Sequence, residues 1–339
     1  MASPRLAFLL SPPRSGSTLL QRMLGSHAGI YSPPEPHLLA PLAHLGYFAN
    51  VERAPYDHLV AAAGQKDFVK GLPRGEDDYV DALRAYVETL YGRALGASGR
   101  SVFLDKTPEN ALVAPFIERV LPDAKFIVLV RHPVAVMSSH AESFFEGDWA
   151  RAYAHKPILS LWVPAIARFL RTTKTAPHYV RYEDLVARPE EEIRKIFDHL
   201  GVEHQDDAVE YGKHQHKDGA GDPFTVRRES RPVAAYAEKW LAEVKAHPAK
   251  LETARRAVDA LQPEDLETYG YPYQDVFAGL ENGHSSKNGN GTTIKSFGPL
   301  HPYRLQRRML LALRKDIHTS NLGKVVKKVR FACDVLLRD

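Results

Sequence analysis

The chain has 339 residues, 44% of them hydrophobic and 25% charged, with a formal net charge of +4, which suits a soluble globular protein of one large or two small domains. A single cysteine, Cys333, excludes an intramolecular disulfide and a cysteine zinc cluster. No run approaches the roughly 20 apolar residues of a membrane-spanning helix, and the apolar stretch Leu6 to Leu10, closed by two prolines, is too short for a signal-peptide core, so a cytoplasmic protein is expected.

Leu6 to Leu10 reads as a strand running into the loop Ser11-Pro12-Pro13-Arg14-Ser15-Gly16-Ser17-Thr18, after which Leu19, Leu20, Met23 and Leu24 recur at helical spacing. A helix N-terminus leaves backbone N–H groups unpaired at the positive end of its dipole, so this junction is an anion site in outline. Gly16 lets the backbone approach a ligand, Ser15, Ser17 and Thr18 add hydroxyl donors, and Arg14 supplies a planar cation that forks two oxyanion contacts. A serine-capped helix after a turn explains the same residues without a ligand. The ATP-binding pattern G-x-x-x-x-G-K-[ST] is absent, because the cation precedes the glycine and no lysine follows it. That counts against a nucleoside triphosphate.

Glu35 follows in Ser32-Pro33-Pro34-Glu35-Pro36-His37, where flanking prolines stiffen the segment and hold the carboxylate in place. An exposed loop acid is the ordinary alternative. His37 is a rival base, since histidine is the side chain most often used for general acid–base work. Ser101 to Leu104 is a second strand, and Lys106 stands just past it in Asp105-Lys106-Thr107-Pro108, as a site cation or a solvated surface lysine.

Lys125 to Val130 is a nearly continuous apolar run of the kind buried on both faces of a parallel sheet. Arg131 follows it, so its guanidinium emerges at the ligand edge; Pro133 suits a first helical turn, and Ser139 lies about two turns along. One arginine and one hydroxyl grip a monoester phosphate. Ser138 is the alternative hydroxyl, and an arginine paired with an acid is the purely structural reading.

His178 to Tyr182 is a fourth strand, followed after Pro189 by a helix through Ile193, Ile196, Phe197 and Leu200. Strands alternating with helices predict a doubly wound α/β domain with a parallel sheet, whose ligands sit beyond the carboxyl ends of the strands. Tyr182 falls at that edge, with a core tyrosine as the alternative. Lys213-His214-Gln215-His216 lacks the matching cluster a metal needs, and no metal site is expected.

Taken together these motifs resemble the PAPS-dependent sulfotransferase family (PAPS, 3'-phosphoadenosine-5'-phosphosulfate), especially its bacterial and tyrosylprotein-type branches. Its P-loop-like 5'-phosphosulfate loop is similar to Pro13 through Leu20, and its 3'-phosphate motif to Arg131 through Ser139. Arg181-Tyr182-Glu183-Asp184-Leu185 and the segment Ser230-Arg231-Pro232-Val233 leading to Trp240 resemble two further blocks. The resemblance runs from about residue 5 to 273. It implies a nucleotide donor bound by Arg14, Ser15, Gly16, Ser17, Thr18, Leu19, Arg131, Ser139, Tyr182 and Arg231, with Arg227 and Arg228 assisting. It also implies Glu35 as the base, His37 as an assisting residue, and Lys106 as the cation on the bridging oxygen, with no metal required. Sulfonate transfer to a hydroxyl follows, and the Ser-Pro-Pro-Glu-x-His-Leu-Leu segment, similar to sulfotransferases of bacterial polyketide pathways, points first to a lipid, natural-product or carrier-bound acceptor, with carbohydrate and protein tyrosine behind. The alternative is a P-loop kinase-like phosphotransferase or a non-catalytic nucleotide-binding regulator.

The expected domain spans residues 1–277, a polar Gly/Asn/Ser-rich linker 278–299, and a basic amphipathic helical tail 300–339. From His301 onward ten Lys and Arg face three Asp, an excess of seven, which leaves the first 300 residues at −3. The main domain is therefore not a basic nucleic-acid binder, and its cations act locally. Leu305, Met309, Leu310, Leu313 and Ile317 recur at helical spacing among those cations, a pattern suited to an anionic membrane surface, a partner protein, or return onto the domain.

Overall fold

The computed structural model describes residues 3–43, 58–214 and 228–281. Its five strands are β1 (Leu6–Leu10), β2 (Ile30–Tyr31), β3 (Val102–Asp105), β4 (Lys125–Val130) and β5 (His178–Arg181). They lie in the order β2-β3-β1-β4-β5, and every neighbouring pair is parallel. The helices are α1 (Ser17–Ser26), α2 (Leu39–Ala43), α3 (His58–Lys70), α4 (Glu76–Ser98), α5 (Ala114–Val120), α6 (Pro133–Phe145), α7 (Trp149–His155) and α8 (Ile158–Thr172). After β5 come α9 (Tyr182–Ala187), α10 (Pro189–Leu200), α11 (Lys239–Ala246), α12 (Pro248–Asp259), α13 (Pro263–Thr268) and α14 (Ala278–Glu281).

Continuous apolar strands make this a two-faced sheet. Successive side chains alternate across it, so Leu6, Phe8 and Leu10 join Phe103, Phe126 and Val128 in one core with α4, α5, α6 and α8. Ala7 and Leu9 join Leu104, Ile127 and Leu129 in a second core with α1, α9 and α10. The α/β architecture with a parallel sheet is thus the one expected.

Several boundaries differ from the sequence expectation. The strand at 101–104 begins and ends one residue later. Tyr182 does not end β5 but opens α9, because Arg181, still extended at φ −92° and ψ 136°, serves as the N-cap. β2 has two residues, too few for any periodicity to show. α4 went unpredicted although Val80, Leu83, Val87, Tyr91 and Leu95 follow helical spacing along its buried side. The helix Ala278–Glu281 stands where the linker was expected to begin. The rest of that linker, the tail from 300 onward, and Gln215, His216 and Arg227 lie outside the described residues.

The topology positions the site. The chain leaves β1 toward the β2 edge, whereas it leaves β3 across β1 toward β4. Connections that diverge this way open a crevice beyond the carboxyl ends of the neighbouring strands β1 and β3. Among the described residues no helix is long and apolar enough to cross a membrane.

Candidate active site

The loop after β1 turns through two left-handed residues, Arg14 at φ +70° and Gly16 at φ +90°, the latter capping α1. Glycine is required at the second for a steric reason as well. A Cβ on Gly16 would meet ring carbons of Tyr182 at 2.4 and 2.6 Å. The Tyr182 ring therefore lies directly against the loop backbone, and the Arg131 guanidinium stands over that ring, 4.2 Å from its centroid. Burial raises the Tyr182 hydroxyl pKa, with Arg131 opposing, so the phenol stays neutral.

Arg131 ties the loop to a distant segment. Its Nη1 donates to the Arg14 carbonyl at 3.2 Å and its Nη2 to the Tyr236 carbonyl at 2.6 Å. Its buried Nε has no hydrogen-bond partner among the described residues. Arg14 Nε in turn donates to Ser139 Oγ at 3.4 Å. Ser138, the neighbouring hydroxyl on α6, donates instead to Glu243 on α11 at 2.9 Å. Arg14, Gly16, Leu19, Arg131, Ser139 and Tyr182 share one cleft of about 480 Å³, counting its open mouth. Arg231 stands at its rim, paired with Glu190 at 2.8 Å. Pro232 and Val233 line it too, as do Tyr211, Glu229 and Tyr236; no motif pointed to the last three, and Tyr236 meets Arg131 through its backbone, which carries no side-chain signature. Arg228 is engaged by Glu229 at 2.9 Å.

A second cluster forms beside α1. The Lys106 side chain is only 1% exposed. Its Nζ donates to Thr18 Oγ1 at 3.4 Å and makes a close ion pair with Glu35 Oε1. A lysine buried this deeply needs such partners, because an unpaired buried ammonium is strongly disfavoured. Glu35 is held by its segment: Gln21 Nε2 on α1 donates to Ser32 Oγ at 3.1 Å and to the Pro33 carbonyl at 2.8 Å. Ser32 Oγ reaches the Leu104 carbonyl on β3 at 3.3 Å. His37, 58% exposed, stands with Nε2 3.4 Å from Glu35 and Nδ1 3.9 Å from Glu109. Sequence reasoning missed Gln21, whose anchoring role shows only when α1 and the Pro-Pro-Glu segment meet.

The two clusters meet in the loop 14–18, which contributes Arg14 to one and Thr18 to the other. Ser15 and Ser17 are buried in that turn. A dipole-bearing helix start thus has the guanidiniums of the cleft on one side and the buried Lys106–Glu35 pair on the other.

A sequence profile of the Sulfotransferase family matches residues 6–206, more than half of the chain. The chain belongs to the sulfotransferase family. The chain is 28% identical over 224 residues to nodulation protein NoeE of Sinorhizobium fredii (strain NBRC 101917 / NGR234), covering 59% of this chain and 51% of that protein. The match thus spans about half the length of that relative. Among solved structures, the sulfotransferase domain from the curacin biosynthetic pathway aligns at a TM-score of 0.49 with 25% identity, covering 76% of this chain and 96% of that domain. The sulfotransferase domain from the Synechococcus PCC 7002 olefin synthase aligns at 0.47 with 25% identity, covering 76% and 95%.

Proposed function

We propose that the protein transfers a sulfonate group from PAPS to an acceptor hydroxyl by in-line displacement, with Glu35 as the base. One observation carries this reading: the buried Lys106 ammonium bridges Thr18 of the anion loop and the Glu35 carboxylate, so loop, cation and base meet at one point. The cleft fits an adenosine bisphosphate framework. It has three guanidiniums against one carboxylate, a buried Arg131 Nε still lacking an acceptor among the described residues, and a glycine where a side chain would strike the Tyr182 ring.

When bound, the donor supplies the S–O–P linkage whose cleavage leaves charge on the 5'-phosphate. Arg14 and the first N–H groups of α1 bind that phosphate, while Arg131 and Ser139 hold the 3'-phosphate. Tyr182 and Leu19 offer apolar surface beside them, and Arg231 adds charge at the rim. Lys106 Nζ neutralises the bridging oxygen as charge develops there. Glu35 takes the proton of the acceptor hydroxyl, and His37 assists from the solvent side. The transferred group carries less charge than a phosphoryl group, so positioned Lys and Arg suffice and no metal is required. The acceptor is a small-molecule, lipid or carrier-bound alcohol.

Calorimetry tests the donor. Adenosine 3',5'-bisphosphate is expected to bind roughly 10- to 100-fold more tightly than 5'-AMP, as one or two charge-assisted hydrogen bonds dictate. Equal affinity overturns the assignment, and a preference for magnesium ATP supports a phosphotransferase instead. Mass spectrometry of products formed from labelled PAPS against a panel of alcohols identifies the acceptor.

A further inference from the structure

Asp105, the last residue of β3, is fully buried one position before Lys106. A buried carboxylate is costly to desolvate, and an apolar side chain would suit the same strand face, which Phe103 shares. Its oxygens are both engaged: Oδ2 accepts from the Tyr91 hydroxyl at 2.6 Å and Oδ1 from Thr107 Oγ1 at 2.8 Å. Burial pushes the Asp105 carboxyl up, while these two hydrogen bonds and the Lys106 charge pull the other way.

We infer that Asp105 is a positioning residue for Lys106, bracketing its backbone so that the ammonium stands over Thr18. This rests on the reading that Lys106 acts at the bridging oxygen. Five contacts build the bracket. The Tyr91 ring, buried on α4, stacks on Phe103 at 4.2 Å and fixes the hydroxyl that meets Asp105. The Asp105–Thr107 bond spans Lys106 from the residue before it to the residue after it. Thr107 is pinned in turn, since its carbonyl accepts from the Asn110 N–H at 3.0 Å, and Trp162 Nε1 on α8 donates to the Pro108 carbonyl at 3.0 Å. With Asp105 anchored to the α4 side, strand alternation sends Lys106 to the opposite side, toward α1. A lysine's four-carbon stem is flexible, so a fixed backbone is what gives its ammonium one position.

A double-mutant cycle in the full chain decides the matter. Asp105→Asn keeps the shape but replaces one accepting oxygen with an amide donor. It is expected to lower single-turnover transfer about 10- to 100-fold, the effect of a displacement near 1 Å. Affinity for adenosine 3',5'-bisphosphate stays within about twofold, and in a Lys106→Ala background the same substitution costs nothing further. Tyr91→Phe, which removes a single hydroxyl, moves turnover in the same direction by a smaller factor and serves if Asp105→Asn does not fold. An equal loss with and without Lys106, or a lower melting temperature with unchanged turnover per folded molecule, overturns the positioning role. Full turnover in Lys106→Ala overturns the mechanism itself, a separate outcome.

Discussion

Glu35 and His37 are two residues apart and both chemically able to take a proton, yet their surroundings differ. Glu35 touches the buried Lys106, whereas His37 lies mostly in solvent, 3.4 Å from Glu35. A general base contributes about 100- to 10,000-fold, so Glu35→Gln is expected to lose single-turnover transfer in that range while calorimetric affinity for the bisphosphate holds. His37→Ala is expected to stay within about tenfold of wild type, since an exposed ionic contact contributes little. An active Glu35→Gln beside a dead His37→Ala would exchange the two roles. For Lys106, which the sequence leaves between a site cation and a solvated surface lysine, burial excludes the second.

At the scale of elements, the junction of β1 with α1 depends on packing against α9. Gly16 has both a left-handed backbone and a ring pressed against it. Gly16→Ala is expected to cost about 1–3 kcal/mol of stability through the unfavourable φ alone. It also displaces Tyr182 from beneath Arg131, so bisphosphate affinity falls together with the melting temperature. Lower stability with unchanged affinity would show that the Tyr182–Arg131 stack is dispensable for the ligand. Helix α6 shows the same dependence on neighbours: Ser138 and Ser139 are about 100° apart around the axis, and α11 claims the first while the cleft receives the second.

For the whole molecule, His132 fastens the end of β4 to segments more than 100 residues later. It stacks on Trp240 at 4.3 Å and meets the Val276 carbonyl at 3.0 Å. Burial lowers its pKa from 6.5 to about 4; the Val276 hydrogen bond opposes this and the charges of Arg181 and Arg131 reinforce it. The unfolded chain therefore binds this proton first as pH falls. Stability is fully present above pH 6.5 and declines as pH drops to about 4, by about 3 kcal/mol from this group alone. Denaturant unfolding at several pH values between these limits measures the slope, and His132→Phe is expected to flatten it. An equal slope in wild type and variant would assign the acid sensitivity elsewhere.

What the sequence by itself determined is local: the apolar runs of β1 and β4, the helix start after Gly16, the proline at the head of α6, and the amphipathic repeat of α10. These are legible because strand and helix periodicities, turn residues and helix ends are set by neighbours within a few positions. Tertiary structure alone decided the rest. The pairing of the two-residue β2, the strand order, the burial of Lys106 against Thr18, and the return of Tyr236 to Arg131 all join residues far apart in the chain. Such contacts leave no period in the sequence, because they depend on which faces meet once the cores on both sides of the sheet have formed.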